Sequence, residues 1–360
     1  MDVPPTLAAW ACISIVRPDQ KDTHGRSFMS DTRFDVVGIG NAIVDILGRC
    51  DDAFLAQHNA PKGHMRIVDD TTISALYAAM GPSVEISGGS AANTLAGIAS
   101  FGGRAAFIGK VADDEFGRIF AHDIKAADVT FSSKPVAGKE PTSRSLILVT
   151  PDGERTMNTF LGISTDLDDG EIDPDVISSS AIIYLEGYLF DRPDAKAAFR
   201  QAVKIAKQAG RQVALSLSDS FCVDRHREEF IDLIRNGVDI IFANESEITS
   251  LYETSDFEIA AQNAGRDTRL AALTRSAKGS VILSEGRRLE IPVAPVDKVI
   301  DSTGAGDLYA AGFLYGISAG LGLETSGKLG SLAAAEIISH MGARPNAPLE
   351  KIARAQGIIN

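Results

Sequence analysis

Cysteine, tryptophan and positive charge are all scarce in this chain. Its 360 residues include three cysteines and one tryptophan. Cys12, Cys50 and Cys222 have neither metal-site spacing nor the pattern of a disulfide framework, which points to a reducing, cytoplasmic setting. Lys and Arg number 35 against 48 Asp and Glu, a net charge of −13. With no basic stripe to displace counterions, nucleic acid and anionic membrane are ruled against as partners. No apolar run approaches the ~20 residues of a membrane span. The Gly-x-x-x-x-Gly-Lys-Ser/Thr phosphate loop is missing. Gly38-Ile39-Gly40-Asn41-Ala42-Ile43 resembles a dinucleotide fingerprint only superficially, because Ile43 stands at the third glycine position.

The first thirty or so residues differ from the rest. Leu7 to Val16 is apolar but short, and it follows Asp2 rather than a basic segment, a poor fit to a secretory signal. Residues 1–33 are expected to be an extension outside the fold, with Met29 a candidate alternative start.

From Phe34 onward, short apolar runs alternate with helical patterns. Strands are expected at Asp35–Gly40, Arg104–Ile108, Ile182–Leu185, Val213–Leu217, Ile240–Ala243, Leu270–Thr274 and Val281–Ser284. Helical patterns lie between them, and two more follow Gly306. This rhythm predicts an α/β fold: a doubly wound, mostly parallel sheet with helices on both faces, and ligands beyond the carboxyl ends of its strands. Two segments lack a helix to complete a βαβ unit, 46–68 and 135–160. In the second a hairpin is expected, Ser145–Thr150 and Arg155–Phe160, joined by Pro151-Asp152-Gly153-Glu154. Together they are expected to form a small β lid, leaving 34–45, 69–134 and 161–360 as the core that binds nucleotide and substrate.

What the chain does carry is concentrated in Asp301-Ser302-Thr303-Gly304-Ala305-Gly306-Asp307, followed by the apolar run Leu308–Leu314. A small-residue turn opens a helix here. Gly304, Ala305 and Gly306 let backbone N–H groups close on an anion at the positive end of the helix dipole. Asp307, in that field, is expected to stay ionised and accept a proton from a substrate hydroxyl. An anion hole plus one base is what phosphoryl transfer to an alcohol requires.

Three further clusters follow. Ser87-Gly88-Gly89-Ser90-Ala91-Ala92-Asn93 again opens a helix with small residues. Asn93, with Asn41 and Asp45 after the first strand, can fix a sugar through its hydroxyls. Asn244 and Glu247 are three apart on one helix face at a strand's carboxyl end, where a hydrated Mg²⁺ can sit; the bland alternative is a helix cap. Thr274-Arg275-Ser276-Ala277-Lys278-Gly279 forms a turn between strands that can touch nucleotide phosphates. An acidic chain that binds nucleotide needs a divalent metal and a few placed cations.

Together these clusters make the chain resemble the ribokinase-like carbohydrate kinases, the PfkB family, over roughly Phe34 to Ile359. Within that family it looks most like the bacterial adenosine kinases. The resemblance rests on Gly40-Asn41-Ala42-Ile43-Val44-Asp45, Gly89-Ser90-Ala91-Ala92-Asn93, Glu186-Gly187-Tyr188-Leu189-Phe190 and Ser339-His340-Met341-Gly342-Ala343-Arg344-Pro345. It implies Asp307 as base and Gly304, Ala305 and Gly306 as anion hole. It implies Asp45, Gly88, Gly89 and Asn93 around a ribose, with Asn41 nearby. Asn244 and Glu247 match an Asn-x-x-Glu magnesium motif that acts through water. Thr274, Gly279, His340 and Asn244 would meet ATP. Arg155 matches a lid position that approaches the transferred phosphoryl group. Tyr188 is the better of two rings to face a base, with Phe190 expected in the core. Two positions depart from the family pattern: Ser302 replaces its usual Thr, and Ser276 its usual Gly.

The resulting expectation is an ATP- and Mg²⁺-dependent kinase of a primary, 5′-hydroxyl on a ribose-containing small molecule, adenosine favoured, with room for a monovalent cation such as K⁺. The rivals are a kinase of a free sugar (ribose, fructose or a keto-deoxy sugar acid) and a non-catalytic sugar- or nucleoside-binding regulator. Monomer and homodimer both remain open.

Overall fold

A computed structural model describes residues 32–138 and 140–360. The extension ending at residue 33 therefore lies almost wholly outside the described residues, with Cys12, Leu7–Val16 and Met29.

Fourteen strands are described, arranged in two sheets. In chain order they are β1 Phe34–Ile39, β2 Ile43–Arg49, β3 Met65–Ile67, β4 Ser83–Gly88, β5 Ala105–Ile108, β6 Val129–Phe131, β7 Ser143–Val149, β8 Arg155–Phe160, β9 Ser180–Glu186, β10 Gln212–Ser216, β11 Ile240–Asn244, β12 Leu270–Thr274, β13 Ser280–Ser284 and β14 Arg287–Ile291. The large sheet has the order β14-β13-β12-β11-β10-β9-β1-β5-β6. It is parallel from β6 to β12, and β13 and β14 add on antiparallel. Strands covered on both faces read as continuous apolar runs, which is why β9, β11 and β12 were legible. Alternate residues feed two cores. Ile182 and Tyr184 join one, packed under the helices Ser90–Ser100, Ala305–Ser318 and Leu323–Ile337. Ile183 and Leu185 join the other, under Pro193–Gln208, Ser220–Gly237 and Phe257–Asp267. The fold is the doubly wound, mostly parallel architecture that the pattern predicted.

The sheet order reverses at β1, flanked by β5 on one side and β9 on the other. In such sheets a crevice opens beyond the carboxyl ends of the strands at the reversal. Here those ends are Gly40-Asn41 after β1 and Glu186 at the end of β9.

The second sheet, β3-β8-β7-β2-β4, is larger than the expected lid. It takes in β2 from Ile43 and also β4, residues assigned above to the core. Two helices accompany it: Asp51 caps Asp52–Gln57 inside the segment 46–68, and Asp69 caps Asp70–Ala79 just beyond it. The outer face of β2 then buries Val44 and Ile46 against Ile73 and Leu76 of the second helix. Its inner face carries Asp45 and Leu47. The helix Ser220–Gly237 is capped by Asp219 and kinked at His226. Among the described residues no helix is long and apolar enough to cross a membrane.

Candidate active site

Gly304 caps the helix Ala305–Ser318 in the left-handed conformation, φ +77°. A side chain there would also press on Ala343, 2.9 Å from an added Cβ. The Ala305 N–H turns back to Ser302 O at 3.2 Å, so the later N–H groups of the first turn remain for a ligand. An added Cβ on Gly306 would meet nothing within 4 Å, so the turn faces open space.

Asp307 opens toward the helix Ser90–Ser100. Its Oδ1 accepts from Ser90 Oγ at 2.6 Å and its Oδ2 from Asn93 Nδ2 at 3.0 Å. Burial pushes its carboxyl above the ordinary range, and the bonds from Ser90 and Asn93 and the Arg344 charge pull it back. Ionisation of Asp307 therefore depends on these donors as well as on the helix dipole.

Asp45 faces this group from β2. Its partner across the sheet is Ile86, and Gly88 leaves the space its carboxylate occupies. Burial pushes Asp45 up to about 7, against the pull of Arg344 and Arg155. Asn93 Oδ1 is buried and has no hydrogen-bond partner among the described residues. Asp45, Asn93, Arg155, Thr303 and Arg344 line one cleft, whose apolar wall is Leu47, Ile86 and Ile147.

Arg155 reaches this cleft from the start of β8. Its Nη1 lies 2.6 Å from Asp301 Oδ2 and donates to Thr303 Oγ1 at 3.1 Å. Asp301 in turn accepts from Thr303 N at 3.0 Å and Gly342 N at 3.1 Å. The hairpin β7–β8 is thus tied to the Asp301–Asp307 turn by a buried ion pair.

Two of the expected residues, Asn41 and Tyr188, sit otherwise than expected, and two more, Asn244 and Glu247, are engaged with each other. Asn41 is not free for a sugar: its Nδ2 donates to Glu186 Oε1 at 2.7 Å and its Oδ1 accepts from Ser164 at 2.9 Å. Tyr188 does not line the cleft. After Glu186 the chain enters a 3₁₀ turn, Gly187–Asp191, that packs on the end of β10, so the charges around Tyr188 are those of Asp219, Asp307, Glu186 and Glu247. Asn244 and Glu247 form a reciprocal capping box, with Asn244 Nδ2 to Glu247 Oε1 at 2.6 Å and Glu247 N to Asn244 Oδ1 at 2.9 Å. Both Glu247 carboxylate oxygens are engaged by Asn244. Among the described residues no three His, Cys, Asp or Glu side chains gather closely enough to hold a bare metal ion. What fits Mg²⁺ is a hydrated arrangement: Glu247, pushed up to about 7 by burial, also feels the Asp219 and Asp307 carboxylates. Phe190 is core, stacked on Phe230 at 4.0 Å.

Thr274 ends β12 and Gly279 precedes β13, with Arg275 N donating to Gly279 O at 2.7 Å. Ser276, where the family has Gly, takes a left-handed φ of +49°. His340 pairs with Glu336 at 3.2 Å. Glu336 also lines a second, roomier cavity with Val296, Lys298, Ile300 and Leu332, directly before Asp301 in the chain.

Three residues went unassigned in the sequence. Arg344 donates to Ser87 O at 3.0 Å, Ser87 Oγ at 2.8 Å and Ala92 O at 2.6 Å, clamping the Gly88-Gly89 loop. Glu186 accepts from Ala91 N at 2.8 Å, joining the end of β9 to the same helix. Ser90 holds Asp307. All three lie within motifs noted above, but nothing local signals their partners.

The model of the pfkB family carbohydrate kinases matches residues 82–350. The structure of adenosine kinase from Sinorhizobium meliloti is similar, with a TM-score of 0.84 and 51% identity over 90% of this chain and 99% of that one. A probable sugar kinase protein from Rhizobium etli CFN 42 gives a TM-score of 0.85 and 49% identity over 91% of this chain and 100% of that one. A probable fructokinase-6, chloroplastic, of Arabidopsis thaliana is 30% identical over 273 residues, 72% of this chain and 70% of that protein. With its glycine turn, facing carboxylates and doubly wound sheet, the chain belongs to the pfkB family of carbohydrate kinases and is a phosphotransferase acting on a hydroxyl group.

Proposed function

We propose that this kinase transfers the γ-phosphoryl group of ATP to the 5′-hydroxyl of a nucleoside, adenosine foremost. The observation that carries the reading is Asp307, held between Ser90 and Asn93, with Asn93 also lining a cleft that Asp45 shares with one apolar wall. Asp45 and the unpartnered Asn93 Oδ1 would accept the ribose hydroxyls. Leu47, Ile86 and Ile147 would cover the base, in place of the Tyr188 stack expected from sequence. A free sugar needs only the polar half of such a site, whereas a nucleoside uses both halves.

In the reaction the 5′-oxygen attacks the γ-phosphorus, its proton passes to a carboxylate oxygen of Asp307, and the bridging oxygen leaves with ADP. The Gly304–Gly306 N–H groups and Arg155 would meet the equatorial charge. For that, Arg155 must exchange some of its hold on Asp301 for the phosphoryl group. The cavity lined by Val296, Ile300 and Leu332, with His340 beside Glu336, would take the donor's base, and Thr274 and Gly279 would lie along its phosphates. Mg²⁺, held through water by Glu247 and Asn244, supplies neutralisation of the donor phosphates when bound.

A thermal-shift and turnover panel of adenosine, other nucleosides, ribose and fructose tests the reading. Adenosine is expected to lead in kcat/KM by at least about tenfold, a difference of about 1.4 kcal/mol in transition-state binding. Efficient phosphorylation of a free sugar with no adenosine turnover would leave only the family standing.

A further inference from the structure

Ser90 is the first helical residue after the cap, Gly89, which has no side chain to satisfy the first turn. A serine at such a place can bond the backbone of its own turn. The Ser90 Oγ instead reaches a residue 217 positions away, donating to Asp307 Oδ1 at 2.6 Å. Asn93 and Thr94, one turn on and on the same helix face, bond Asp307 as well. Asn93 Nδ2 donates to Oδ2 at 3.0 Å, while the one proton of Thr94 Oγ1 is shared between the Ser90 carbonyl at 3.1 Å and the Asp307 carbonyl at 3.2 Å. Two side chains of one helix turn thus grip the two oxygens of one carboxylate.

We propose that Ser90 is a positioning residue for phosphoryl transfer, whose hydroxyl, opposed by the Asn93 amide, fixes the plane of the Asp307 carboxylate and holds it proton-free toward the acceptor hydroxyl. The inference rests on Asp307 as the base. A carboxylate bonded at one oxygen only can rotate about its Cβ–Cγ bond; one bonded at both is fixed in plane. The same two donors favour the charged form that burial opposes. The other charged or titratable groups around Asp307 are Arg344 from the C-terminal segment, Asp45 on β2, Tyr184 and Glu186 on β9, Tyr188 after it and Glu247. Only Arg344 among them favours the charged form, and among the described residues it makes no direct bond to Asp307.

The test is kcat and KM for adenosine with saturating MgATP, from pH 5.5 to 9, in wild type, Ser90→Ala, Ser90→Thr and Ser90→Cys, alone and with Asp307→Asn. Ser90→Ala is expected to lower kcat by about tenfold near pH 6.5 and to move the acid limb of kcat upward by about one pH unit, the size of one lost bond to a charged group. KM should stay within about threefold and the melting temperature within a few degrees. Ser90→Thr should restore the profile and Ser90→Cys, a weaker donor, should fall between. Adding Ser90→Ala to Asp307→Asn should cost nothing further, since the two act as a unit. An unmoved acid limb in Ser90→Ala, or a loss confined to KM, overturns the positioning role and makes Ser90 a substrate contact or a structural residue. Near wild-type turnover in Asp307→Asn instead overturns the base assignment beneath it. An inactive Asp307→Asn beside a Ser90→Ala of wild-type profile sinks this inference alone.

Discussion

Gly88 and Gly89 are neighbours, yet a methyl group added to each should have opposite consequences. An added Cβ on Gly88 would lie 2.8 Å from Asp45 Oδ1 and closer still to its Oδ2 and Cγ. All three atoms belong to one movable side chain, so the strand pairing Ile43↔Gly88 can persist while the carboxylate swings out of the cleft. A hydrogen bond to a charged group contributes about 1.5–3 kcal/mol. Losing the Asp45 contact should therefore weaken acceptor binding by roughly 10- to 150-fold, with little change in melting. At Gly89 the backbone sits at φ +97°, ψ 139°, a region that side chains avoid, and an added Cβ would run into Asn41 O. That carbonyl cannot yield easily, because Asn41 is held by Glu186 at 2.7 Å and by Ser164 at 2.9 Å. Strain of about 1–3 kcal/mol plus the clash puts the cost near 3–5 kcal/mol. Gly89→Ala should melt about 5 °C or more below wild type. Calorimetric titration with acceptor and thermal melts read the two effects separately. A Gly88→Ala protein that binds acceptor normally, or a Gly89→Ala protein that melts like wild type, would refute the reasoning.

Asp307→Asn should fold and bind acceptor but lose turnover by about 10²-fold or more; near-normal turnover by coupled assay removes it from the chemistry. Arg155→Ala should lower kcat more than it raises KM, and should also lower the ligand-free melting temperature, because Asp301 is left buried with only Thr303 and Gly342 as donors. Glu247→Gln should raise the Mg²⁺ concentration needed for half activity; an unchanged Mg²⁺ demand with a lower melting temperature would leave Glu247 a helix cap only. Asp45 must be ionised to accept two hydroxyls, so acceptor KM should rise as pH falls through about 7 and flatten in Asp45→Asn. Asp45 holds its proton in the folded state between its ordinary value of 3.8 and about 7. Its contribution to stability accordingly falls as pH rises through that window, and the ligand-free melting curve of Asp45→Asn should lack that component of the slope.

Much of this molecule is written locally. The apolar runs over β1, β5, β9 to β13 state their own burial, and the glycine turn before Asp307 states a helix start. The hairpin β7–β8 is announced by its turn residues. These signals need only neighbours in sequence, because period, turn chemistry and helix ends are short-range physics. The second sheet's full extent was not legible, since β4 joins it by pairing with β2 rather than by any pattern of its own. The commitments of individual polar side chains were not legible either. Asn41 reads as a sugar ligand until Glu186, 145 residues away, takes its amide. Tyr188 reads as a base platform until a 3₁₀ turn carries it off the cleft. Ser90 reads as an ordinary helix start until Asp307 arrives from 217 residues on. A donor or acceptor has the same chemistry wherever it stands, and only the topology, by bringing distant strand ends and helix starts to one crevice, decides which partner it meets.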